Sequence, residues 1–190
     1  METSSSDRRG NRLLQPEMVV AIAAVLIGVC ALVISVTEVR IMREGQHAAV
    51  WPRLMLAPSY SQGSSIRIQV LNPGIGPAVI RSVTATVDGQ PQRSWTHALN
   101  SLIEEERSWS ITMSYLRGRV VSAGETITTV ELIDGTLADR VQKELDRLQL
   151  EVCYCSVFER CWTTSINSRP EESPRELPEC PSAQPNPFQG

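Results

Sequence analysis

Apolar residues fall into two regimes along this chain. Residues 18–36 are nineteen consecutive Met, Val, Ala, Ile, Leu, Gly, Cys and Ser residues without one charge. A helix crossing the hydrocarbon core of a bilayer takes about 20 such residues at 1.5 Å rise each, so this run predicts a single transmembrane helix. It is longer than the apolar core of a cleavable signal, about 7–15 residues, and Ser35-Val36-Thr37 is a poor small-x-small cleavage site. Cys30 does not read as a lipoprotein cysteine, because bulky Val29 precedes it and the apolar run continues beyond it. Residues 37–50 hold no proline and one glycine, which predicts that the helix continues as a stalk. Trp51-Pro52 stops it, since the residue before a proline is pushed out of the helical region.

Past the stalk the pattern changes to period two, the mark of strands with one buried face. Ile66, Ile68 and Val70 alternate with Arg67 and Gln69. Val83, Ala85 and Val87 alternate with Thr84 and Thr86, and Asp88-Gly89 then supplies a hairpin turn. Trp109, Ile111, Met113 and Tyr115 alternate with Ser110, Thr112 and Ser114, the most regular strand pattern of all. Further strands are predicted at 54–56, 126–133, 150–156 and 161–166. Leu137, Val141, Leu145 and Leu148 give one helical stripe. The class read from this pattern is mainly β, an immunoglobulin-like β-sandwich over 51–168 with one inserted helix; a ferredoxin-like α+β arrangement is the alternative. Residues 1–17 form a polar N-terminal tail. Six of the 22 residues in 169–190 are proline, which predicts an extended, disordered tail.

Charge removes one class of partner. Eighteen basic residues face 21 acidic ones for a net charge of -3, and no dense basic run provides a phosphate-binding surface, so no nucleic-acid partner is expected. Arg8, Arg9 and Arg12 on one side of the span balance Arg40, Arg43 and Arg53 on the other, so flanking charge leaves orientation open. Cysteine usage decides it. Cys153, Cys155, Cys161 and Cys180 are an even set in the C-terminal part, which suits an oxidising compartment and puts that part outside the cytoplasm.

The cysteine spacing also carries a register. If Cys155 faces Cys161 across an antiparallel hairpin, Tyr154 faces Trp162, Val152 faces Thr164 and Leu150 faces Ile166, all on the opposite face. One register thus yields a disulfide, Cys155 to Cys161, and an apolar face. Cys153 then faces Thr163, and either pairs with Cys180 or stays free. Zinc is disfavoured because Cys-x-Cys-x5-Cys lacks paired Cys-x2-Cys knuckles, and the Cys-x-x-Cys of a redox-active dithiol is absent.

Other chemistry finds no anchor. His47 falls in the stalk and His97 beside a short edge strand, and no Gly-x-Ser-x-Gly seats a nucleophile. Consecutive Glu104, Glu105 and Glu106 point in different directions, as a solvated face does. Gly74-Ile75-Gly76 lacks the third glycine of a dinucleotide fingerprint and reads as a turn. No catalytic residue, cofactor or metal is expected.

Several local sequences do point to relatives. The Val-Trp-Pro exit at 50–52, Asn72-Pro-Gly-Ile-Gly-Pro-Ala78, Gly124-Glu125 and Tyr154-Cys-Ser-Val-Phe-Glu-Arg-Cys-Trp162 together resemble a family of uncharacterised bacterial single-pass inner-membrane proteins with a periplasmic β-sandwich domain. The likeness spans most of the chain, and its specific part is 154–162. The two glycine turns also resemble those of adhesion-type immunoglobulin-like domains. The resemblance implies location and fold: an inner-membrane protein with its C-terminal domain periplasmic or extracellular. It implies no activity. The expected role is a binding or accessory domain for another membrane or envelope protein, with an enzyme whose site the sequence hides as the alternative.

The anchor carries an association surface of its own. Ala21, Ala24, Gly28, Ala31 and Ser35 recur at spacings of three and four, and the series continues through Glu38, Met42, Gly45 and Ala49. Small residues on one stripe let helices approach closely in lipid, and the heptad period gives a left-handed crossing, so a homo-oligomer through this stripe is expected. Gly28→Leu is expected to abolish dimerisation of the span in a membrane two-hybrid reporter; a wild-type span that scores as monomeric there ends the idea.

Overall fold

The structure is a computed structural model describing residues 16–168, 174–181 and 188–189. The chain divides into two compact units, up to Gln46 and from His47 onward. The described residues of the first belong to one helix, α1 (Pro16–Ala49), which covers both the apolar run and the stalk segment without a break. An 18-residue stretch within its segment Met18–Met42 reaches a mean hydropathy of 3.0, none of the segment is buried, and among the described residues α1 is the one helix long and apolar enough to cross a membrane. The helix stops just before Trp51-Pro52, where the proline rule places its end.

The second unit is mainly β, with two antiparallel sheets. Strands β1 (Met55–Ser61), β2 (Ser65–Leu71), β3 (Ala78–Val87) and β4 (Gln90–Pro91) lead into helix α2 (Trp95–Ile103). Then come β5 (Ile111–Met113), β6 (Val120–Val121), β7 (Thr126–Leu132), helix α3 (Gly135–Lys143), β8 (Leu148–Cys155), β9 (Cys161–Ser165) and β10 (Arg175–Leu177). One sheet has the order β1-β2-β7-β5, the other β10-β9-β8-β3-β4, with β6 also pairing with β3. A single hydrophobic core draws on both sheets and both short helices.

Two bulges keep this core continuous. In β3, Ala78 and Ile80 are buried at even positions, then Val83, Ala85 and Val87 at odd ones. Alternation alone would turn one of these sets to solvent. The register against β8 shifts between Ile80 and Ser82, and the extra residue, Arg81, is exposed. A bulge therefore inverts the parity and returns the strand's apolar residues to the core. The β2–β7 pairing shifts likewise, passing over Thr129 between Val130 and Thr128. Buried Thr129 satisfies its hydroxyl by donating to the Ile68 carbonyl at 3.0 Å.

Four sequence readings are corrected here. The regular alternation at 109–115 yields only a three-residue strand, with Met113 and Tyr115 exposed at 44% and 65%. Its strand lies at a sheet edge against β7 alone, so its alternate residues have no second layer to cover them. His97 lies not beside a strand but in α2, so there are two inserted helices rather than one. That helix is capped by Ser94, and buries Trp95, Ala98, Leu99 and Leu102 at helical spacing. The 137–148 stripe is buried throughout, yet three elements share it: α3, a 3-10 turn at Leu145–Arg147, and the start of β8. Finally, the described part of the Pro-rich segment 169–190 is ordered against the domain. Strand β10 pairs with β9, and Phe188, 4% exposed, meets the Trp95 ring edge-on at 5.2 Å. Two anchors give this proline-rich stretch the contacts its composition does not advertise. The remaining residues of the two expected tails lie outside the described residues.

The quoted glycine turns meet at the point where the chain enters the domain. Asn72, 1% exposed, accepts from the Arg53 and Gly74 amides at 3.1 Å each, and donates to the Gly76 and Val121 carbonyls at 2.8 and 3.0 Å. Its backbone pairs with Gly124 and Glu125. A Cβ at Gly76 would overlap the Val50 carbonyl, and one at Gly74 would overlap the backbone of residues 51–53, so both glycines are there for close backbone approach. Removing one partner from a buried hydrogen bond costs about 1–3 kcal/mol. Asn72→Ala, which strands several such groups at once, is expected to cost about 3 kcal/mol in urea unfolding of the detergent-solubilised chain followed by tryptophan fluorescence; a change below about 1 kcal/mol would contradict this role.

Candidate functional site

The β8–β9 hairpin gathers the residues that carry chemistry. Its register pairs Cys155 with Cys161, Tyr154 with Trp162, Cys153 with Thr163 and Val152 with Thr164, as read from the sequence. Leu150, Val152 and Tyr154 face the core, with Tyr154 fully buried. The Tyr154 and Trp162 rings stack with centroids 5.9 Å apart, a contact of about 1 kcal/mol beyond area burial. The Tyr154 hydroxyl accepts from the Leu54 amide at 3.1 Å. Burial pushes this phenol up to about 12, outweighing the opposing pull of the Leu54 amide and the Arg53 charge, so it is a neutral hydroxyl at physiological pH.

The other face of the hairpin carries sulfur. Disulfides join Cys155 to Cys161 and Cys153 to Cys180. Unlike the preceding part of β8, where Gln149 and Glu151 are exposed, the strand's last four residues are buried on both faces. The segment around Cys180 runs back along the hairpin through β10, whose Glu176 pairs with Arg160 at 2.7 Å. In the loop-entropy picture, a bond spanning 27 residues contributes about 3.5 kcal/mol and one spanning 6 about 2 kcal/mol. The tether to Cys180 is therefore the larger constraint.

The two disulfides touch. Cys155 Sγ lies 3.7 Å from Cys180 Sγ, although these atoms belong to different bonds. The Cys155, Cys161 and Cys180 sulfurs all lie within 4.8 Å of one another. Such a cluster has the donors of a soft metal site, but metal binding needs thiolates, and in the disulfide state no sulfur here is one. The cluster lines a cleft with Arg81, Arg117, Glu159 and Glu179 around it, where Cys180 is half-buried and Cys155 and Cys161 are buried. Arg81 reaches it because the β3 bulge turns that side chain outward, where it pairs with Glu159 of the hairpin turn at 2.7 Å.

The remaining candidates separate in space. His97 Nδ1 lies 2.8 Å from Ser94 Oγ, and that hydroxyl caps α2 by accepting from the His97 amide, which explains the pair as a helix cap. The three acidic neighbours do not converge on one atom: Glu104 pairs with Arg147 and Glu105 with Arg140. Arg147 also takes Asp88 of the β3–β4 turn and Glu144. Its hydrogen bonds hold the Asp88 carboxyl below its usual range. Asp139 of α3 is lowered by accepting from the Tyr60 hydroxyl and the Gly63 amide, while the same bond raises the Tyr60 phenol. These are clamps between turns and helices. Ala21, Ala24, Gly28, Ala31 and Ser35 are all exposed on α1, and no neighbour approaches within 4 Å of a Cβ built at Gly28. Cys30 is an exposed free thiol on the same helix, and His47 lies in its last turns.

The sequence reading reached the hairpin register but missed the approach of Cys180 to Cys155, which has no signal in spacing. It also missed the roles of Asn72 and the Tyr154 hydroxyl, although a polar residue heading a glycine turn and a tyrosine inside an apolar strand were both visible. No family model matches the chain, and no curated protein or solved structure is significantly similar to it.

Proposed function

We propose that this chain is a single-pass bacterial inner-membrane protein that holds an immunoglobulin-like sandwich on the periplasmic or extracellular side, as a binding or accessory domain for another envelope protein. One observation carries the reading: a 25-residue segment with no buried residue, holding an 18-residue stretch of mean hydropathy 3.0, is joined to a β-rich unit bearing two disulfides. An apolar surface of that length is matched to a bilayer, and disulfides persist in oxidising compartments. The strand order supports the sandwich. Strands β1-β2-β7-β5 in one sheet and β9-β8-β3 in the other follow the ABED and GFC order of seven-stranded immunoglobulin domains. The short helices α2 and α3 occupy connections between strands, where such folds accept insertions. Self-association through the small-residue stripe of α1 belongs to the same reading, as does the resemblance to single-pass inner-membrane proteins.

Topology fusions at the C-terminus test it. In a bacterial host, an alkaline phosphatase fusion after Gly190 is expected to be active and a green fluorescent protein fusion dark, with the uncleaved chain resisting alkaline carbonate extraction. A fluorescent fusion with inactive phosphatase, or a chain shortened by removal of 18–36, would overturn the reading.

A further inference from the structure

We propose that the four-cysteine face is a thiol–disulfide exchange site, which takes an electron pair from a dithiol at the cleft and passes it on to Cys153. Three features of the geometry carry this. The sulfurs of Cys155, Cys161 and Cys180 are mutually within 4.8 Å. The nearest non-bonded pair, Cys155 and Cys180 at 3.7 Å, belongs to two different disulfides, so a thiolate released at Cys155 starts in contact with the sulfur it would attack. The same three cysteines line the wall of a cleft that Cys153 does not line, with Cys180 half-buried and Cys155 and Cys161 buried behind it.

The steps balance. A dithiol reduces the Cys155–Cys161 bond, becoming a disulfide itself and delivering two electrons and two protons, which leaves both cysteines as thiols. Cys155 loses its proton and its thiolate attacks Cys180 Sγ. The Cys155–Cys180 bond forms as the Cys153–Cys180 bond breaks, and the leaving electron pair and a proton end on Cys153. This second step is redox-neutral and needs no further reactant. Throughout, the segment around Cys180 stays tied to β8. The tether moves by two residues along one face of the strand, since Cys153 and Cys155 share that face, while β10 continues to pair with β9. The absence of a Cys-x-x-Cys does not exclude such chemistry, because the third sulfur arrives from a distant part of the chain.

Cys161→Ser tests the internal step by leaving Cys155 without its partner. The full-length variant, purified in detergent under oxidising conditions, is alkylated without reduction and cut with trypsin. Peptide 148–160 should then be linked to peptide 176–190 through one disulfide. Fragment spectra should find the alkyl group on Cys153 in an amount comparable to or exceeding that on Cys155. Alkylation of Cys155 alone would overturn the proposal. The wild-type chain provides the second arm, which does not depend on how the variant folds. After one equivalent of dithiothreitol and an acid quench, the two-electron species should carry alkyl groups on Cys153 and Cys161 with Cys155 bonded to Cys180. Besides the label that free Cys30 takes in every species, labels on Cys155 and Cys161, labels on Cys153 and Cys180, or passage straight to a chain labelled at all four of these cysteines would each overturn it.

Discussion

The parity of strand β8 is the constraint on which the domain depends. The strand is paired on both sides, with β3 along one edge and β9 along the other, and it sends Leu148, Leu150, Val152 and Tyr154 into the core. A slip of one residue against either neighbour would exchange the two faces. Tyr154 would leave its stack with Trp162 and its bond to the Leu54 amide, and the cysteines would enter the core. The penalty is therefore spread over the whole strand, and includes a stranded backbone N–H where the chain enters the domain. The tyrosine links the hairpin to that entry segment, while Asn72 links the same segment to the turns at 72–78 and 121–125.

Placing the aromatic residues inward leaves the cysteines on the opposite face, where the returning chain can reach them. The sulfur cluster is thus a consequence of core packing, and its position beside a cleft follows from a second parity device. The bulge at Arg81 lets β3 bury residues on both sides of the shift and turns the bulged residue itself outward, toward Glu159 and the cleft. The two bulges in β3 and β7 act alike: each costs one ladder pair locally and keeps a strand with inverted alternation facing one core.

Much of this was legible in the chain because alternation and turn chemistry act locally. Ile66, Ile68 and Val70 declare β2, and the cysteine pair fixes the β8–β9 register. The misread places are those where tertiary context decides. At 109–115 the alternation is strong, but the strand sits at an edge and its outer residues stay exposed, so pattern overstates structure there. Helix α2 was overlooked although Ser94, Trp95, Ala98, Leu99 and Leu102 have the capping and spacing of a short helix, because nine residues give a weak period. Strand β10 is invisible in a proline-rich stretch because its order comes from β9, Cys153 and the Trp95–Phe188 contact, all supplied from afar. The approach of Cys180 to Cys155 is of the same kind.

The pairing of the cysteines in the untreated protein tests the parity of β8 most directly. Trypsin without reductant, on chain taken from its native compartment, should release peptide 148–160 joined to both 161–175 and 176–190 as one three-peptide assembly. Fragment spectra should place Cys155 on Cys161 and Cys153 on Cys180. A bond from Cys153 to Cys161 would show that these strands do not face each other in this register and would contradict the account.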